Sequence, residues 1–113
     1  MPNQVKLSNR DVAALDEFVR GVKGALGANL LRLTLFGSKA TGRDAPDSDI
    51  DVLVAVERRD ARVEDAVLDA AFEANLAYGV YISPRVVAKA TLEDPVWRIT
   101  PFLRAIEREG VLL

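Results

Sequence analysis

The chain has 113 residues and contains neither cysteine nor histidine. That excludes a disulfide framework, a thiolate or imidazole zinc site, a Ser-His-Asp triad and any imidazole general base. Fifteen basic residues stand against 17 acidic ones, a formal net charge of −2, which argues against a general nucleic-acid-binding surface. Half the residues are hydrophobic, enough for the core of one domain over residues 1–113. The polar start at Met1–Arg10 and the lack of a membrane-length apolar run make a cytoplasmic home the expectation.

Ser8 with Asp11 three positions on reads as a helix start. Val12, Leu15, Phe18, Val19, Val22 and Leu26 follow at helical spacing, and Gly27 is a natural stop. Leu30 to Phe36 reads as a strand, with Leu31, Leu33 and Leu35 on one face and Arg32, Thr34 and Phe36 on the other. Gly37 to Ser48 is loop in composition, with room for one helical turn. Asp49 to Glu57 reads as a second strand. Ile50, Val52, Val54 and Val56 share one face, and Asp49, Asp51, Leu53 and Ala55 share the other.

Asp60 to Tyr78 is a second helix with an Ala-rich stripe of Val63, Ala66, Val67, Ala70, Ala71 and Ala74, ended by Gly79. Val80 to Ala88 is a third strand, and Pro84 marks it as an edge or a bulge. Arg98 to Glu109 is a final helix, started near Pro101 and closed by Gly110. Val111-Leu112-Leu113 is an apolar tail that needs cover. The order α-β-β-α-β-α implies an α/β (α+β) protein with a small mixed sheet flanked by helices. The loop joining the first two strands is too short for a crossover, so they should be antiparallel. The helix between the second and third allows a parallel crossover.

The chemistry concentrates between Phe36 and Asp51. If the first two strands are antiparallel, Gly37-Ser38 and Asp49/Asp51 meet at one edge of the sheet. Gly37 lets backbone approach a ligand closely, and the Ser38–Thr41 turn offers N–H groups to an anion. Asp49 and Asp51 alternate along a strand, so their carboxylates project from one face and repel. A hard divalent cation relieves that repulsion, and Mg²⁺ commonly takes one or two carboxylates plus phosphate oxygens. Either piece alone is ordinary turn chemistry; together they suit metal-assisted phosphoryl or nucleotidyl transfer.

Phe36-Gly37-Ser38 followed by Ser48-Asp49-Ile50-Asp51 resembles the signature of the DNA polymerase β-like nucleotidyltransferases, and the short chain resembles their minimal nucleotidyltransferase (MNT) proteins. The resemblance implies a nucleotidyltransferase fold, with Gly37 and Ser38 on the triphosphate of ATP and Asp49 and Asp51 as catalytic ligands of Mg²⁺. Lys39 and Arg43 are either further nucleotide-binding cations or ordinary loop cations. Family members pair with HEPN-domain proteins, and some are antitoxins that transfer AMP to a tyrosine of a HEPN-type toxin ribonuclease. With so little chain left over, the acceptor site would come from such a partner or from a second copy in a homo-oligomer.

One departure stands out. Active members carry a third carboxylate on a later strand, yet Val80–Val86 holds no Asp or Glu. Tyr81, Ser83 or Arg85 takes that position, with Glu93 and Asp94 beyond the strand. A catalytically silent antitoxin that neutralises its partner by binding alone is therefore the alternative reading. Asp47 reads as a turn residue, Trp97 with Phe102 as a packing contact, and the charge run Arg58–Arg62 as a solvated helix entry.

Overall fold

The computed structural model describes residues 7–42 and 49–113. Arg43, Asp47 and Ser48 lie outside the described residues.

The first helix, α1 (Asn9–Leu26), begins with the expected box: Asp11 N–H donates to Ser8 Oγ at 3.0 Å and Ser8 N–H to Asp11 Oδ2 at 3.1 Å. These bonds satisfy two of the donors that a helix start leaves open. A 3-10 turn, Gly27–Asn29, leads into β1 (Leu30–Phe36). The one-turn α2 (Ser38–Thr41) opens the connection to β2 (Ile50–Val56). Then come α3 (Ala61–Tyr78), N-capped by Asp60, and β3 (Ile82–Ala88). Three short helices follow: α4 (Lys89–Leu92), α5 (Pro95–Arg98) and α6 (Pro101–Glu109). A two-residue strand, β4 (Val111–Leu112), comes last.

The sheet order is β3-β2-β1-β4, with β1 antiparallel to β2 and to β4, and β2 parallel to β3 across α3. Strand parity divides the molecule. Ile50, Val52, Val54 and Val56 join Leu33 and Leu35 beneath Phe18 and Val22 of α1 and Val67, Ala71 and Ala74 of α3. On the opposite face Leu53 packs with Val87 and Ile106, bordered by Phe36, Trp97 and Phe102.

Four details depart from the sequence reading. Leu31 is exposed rather than in line with Leu33 and Leu35, because the β1–β2 register shifts between Leu30 and Arg32. A bulge adds one residue and turns its side chain out of the alternation. The final helix is broken at Ile99-Thr100: Thr100 caps α6 through Leu103 N–H, and Pro101 stands in its first turn. Proline has no N–H to continue a preceding helix, so α5 and α6 remain separate. The short helices α4 and α5 were not expected. The apolar tail becomes β4, an outer strand paired with Thr34 and Leu35.

Pro84 sits on the outer strand β3, as its missing N–H requires. Among the described residues no helix is long and apolar enough to cross a membrane.

Candidate active site

The antiparallel register sets Phe36 opposite Asp51, so the bend that follows β1 lies beside the start of β2. Gly37 adopts φ +78°, and a Cβ placed there would land on Oδ2 of Asp51, with Asp51 Cγ 3.3 Å away. Glycine is needed twice at this position: for the left-handed backbone and for the carboxylate lying against its Cα. The Gly37 carbonyl accepts the Ala40 N–H at 3.1 Å and the Thr41 hydroxyl at 3.5 Å, which closes the α2 turn. Ser38 is the first residue of that turn. The expected neighbourhood of the Gly37-Ser38 bend and Asp51 is therefore present.

Asp51 is half-buried and Asp49 exposed at the mouth of β2. Burial pushes the Asp51 carboxyl above its ordinary value, and the charge of Asp49 pushes in the same direction. Two neighbouring carboxylates, one of them partly desolvated, form an oxygen donor set that suits a hard divalent cation completed by phosphate oxygens. Among the described residues no third acidic side chain joins them as a ligand group.

Lys39 has a definite partner. Its side chain is buried, with Nζ 3.5 Å from Asp11 Oδ2 at the start of α1. The same carboxylate that caps α1 thus ties that helix to the turn carrying Ser38. Nothing in the local sequence announced this link, because the two residues are 28 positions apart. The only clue was Asp11's place in the capping box.

On β3 the parallel register pairs Ser83 with Asp51 and Arg85 with Leu53. Ser83 is thus the residue beside the Asp51 carboxylate strand position, while Tyr81 precedes the strand and is exposed. Arg85 lies 4.6 Å over the Phe102 ring, a cation–π contact, and Phe102 meets Phe36 and Trp97 edge-on at 5.5 and 5.9 Å. Trp97 and Phe102 therefore serve as packing, as expected. Asp94 caps α5, accepting the N–H groups of Val96 and Trp97 at 2.8 and 3.3 Å. Glu93 is exposed.

Residues 15–113 match the model of the nucleotidyltransferase domain family. Two proteins of Methanocaldococcus jannaschii, each named "Putative protein adenylyltransferase", are similar to this chain. One is 31% identical over 101 residues, covering 88% of this chain and 95% of its own length. The other is 37% identical over 76 residues, covering 65% of this chain and 52% of its own.

Proposed function

The chain belongs to the nucleotidyltransferase domain family, and from that premise we propose that it transfers AMP from ATP to a tyrosine of a HEPN-type ribonuclease and so acts as an antitoxin. The observation that carries the reading is the Asp51 carboxylate lying against the Cα of Gly37, with Asp49 beside it. The names of the two relatives support protein as the acceptor class.

In this reading the Gly37-Ser38 bend receives the triphosphate, with Arg43 as a supporting cation, while Lys39, paired with Asp11, holds the turn to α1, and Asp49 and Asp51 face the reacting phosphate. Mg²⁺, held by those two carboxylates, would supply the positive charge that offsets their repulsion and steadies the phosphate oxygens. The partner's tyrosine oxygen attacks the α-phosphorus in line. The new O–P bond forms as the bond to the β-phosphate bridging oxygen breaks, and pyrophosphate leaves. The phenolic proton passes to water, since Ser83 rather than a carboxylate stands beside Asp51.

That serine also favours the second reading, a silent antitoxin acting by complex formation, because general-base assistance is typically worth about 10²–10⁴-fold. Intact mass of a HEPN-domain partner after incubation with this chain, ATP and Mg²⁺ separates the two. A gain of whole AMP units that disappears with Asp49→Asn supports transfer. An unchanged mass with the ribonuclease still inhibited rejects it in favour of binding alone.

A further inference from the structure

Helix α3 buries one side against the sheet and leaves a second apolar side uncovered. Leu68, Phe72 and Leu76 recur every four residues and are 54, 65 and 74% exposed, and Tyr81 at the head of β3 is 66% exposed. Residues four apart on a helix are neighbours, so the three form one ridge. Between this ridge and the outer strand β3 runs a groove of about 560 Å³, floored by Ala71 and Ile82 and walled by Val80 and Pro84. Scattered surface leucines are ordinary; a contiguous apolar strip bordering a groove marks an interaction surface.

We propose that this groove docks a protein helix bearing an apolar ridge flanked by lysine or arginine. Two observations select that occupant. Asp65, Asp69 and Glu73 also recur every four residues and are all exposed; at about 100° per residue this row runs about 60° around α3 from the apolar ridge. The row is bounded by Ala61 and Ala77 and carries no basic residue; Arg62 of the first turn stands outside it. A docked helix thus meets negative charge along one flank, which complements a basic row. The opposite flank disfavours an added strand. Pro84 has no N–H to donate, and Asn75 of α3 already takes both the N–H and the carbonyl of Ile82, at 2.6 and 3.2 Å.

A second copy of this chain fits poorly. Antiparallel apposition of two α3 ridges would set acidic row beside acidic row, and the ridge carries no basic row to offer in return. An anionic lipid surface is repelled on the same ground. The inference does not depend on AMP transfer, but it bears on it: Ser83 lines the groove and is in register with Asp51. A docked partner is therefore held against β3, the strand next to the one that carries the carboxylates.

The test uses the full chain and two synthetic peptide helices with the same leucine ridge, one flanked by lysines and one by glutamates, followed by fluorescence anisotropy at low salt. The lysine peptide should bind at least about tenfold more tightly, a difference of about 1.4 kcal/mol. Phe72→Glu, an exposed substitution whose fold is checked by circular dichroism, should abolish binding. Asp69→Lys with Glu73→Lys should reverse the preference between peptides. No preference, or binding that survives Phe72→Glu, overturns the proposal. So does a concentration-dependent dimer in sedimentation velocity that Phe72→Glu dissolves, since the occupant would then be a second copy.

Discussion

The two faces of the sheet are built to different standards. Under α1 and α3 the apolar core is continuous, running from Phe18 and Val22 through Val52 and Val54 to Ala74. Under α6 the cover is thinner: Leu53, Val87 and Ile106, with Leu103 of α6 also buried, are bordered by half-exposed aromatics, and the cation of Arg85 rests on Phe102. Asp51 belongs to the thin face by strand parity. A β-strand enforces this division, because alternate residues cannot share a side. Stability therefore accumulates on one face of β2, while the other is left open enough for a charged carboxylate and a ligand. The same strand serves both, so the site inherits a rigid mount without being buried by it.

Paired substitutions test that contrast. Phe18→Ala, at a fully buried position, should cost about 3–5 kcal/mol of unfolding free energy. Phe102→Ala removes a half-exposed ring and should cost clearly less, because less apolar surface returns to water and solvent can fill the gap. Urea unfolding of both variants measures the difference. Equal costs would mean that the α6 face is as strongly packed as the other. A smaller but more local effect is expected at the bend. Gly37→Ala combines a positive φ with a collision at Asp51 and should lose more than about 1 kcal/mol. It should also depress ATP binding, measured by calorimetry, beyond what the stability loss explains. Unchanged binding would separate the bend from the nucleotide.

Much of this division was legible in the sequence. The register of hydrophobic residues in Ile50–Val56 fixed which side of β2 was core, and the short connection after Phe36 implied the antiparallel pairing that brings Gly37 to Asp51. The Ser8/Asp11 box marked the start of α1. What could not be read depended on contacts distant in sequence. The bulge that turns Leu31 outward arises from pairing with β2, and β4 exists because Thr34 and Leu35 offer an open edge to a tail of only a few residues. Lys39 read equally as a nucleotide-binding or a loop cation, and its partner Asp11 on α1 lay too far off in sequence to be seen. The ridge Leu68/Phe72/Leu76 lies outside the Ala-rich stripe read from the sequence, and its exposure emerges only once that stripe is seen to fill the sheet side of the helix.

The finest test concerns the charge on the thin face. Burial, and after it Asp49, raises the Asp51 pKa above its ordinary 3.8. The folded chain therefore holds that proton more tightly than the unfolded chain does. The resulting stabilisation is complete below the unfolded pKa and is lost as pH rises through the folded one. Asn at this position has no such dependence. With divalent ions chelated, Asp51→Asn should accordingly be more stable than the natural chain at neutral pH, and the gap should narrow as pH falls through the acid range toward 3.8. Denaturant titrations of both proteins across that range measure it. A gap that stays constant, or a natural chain that is the more stable at neutral pH, would show that the carboxylate is solvated or already paired, and that the fold holds no unneutralised charge beside Gly37 for a cation to offset.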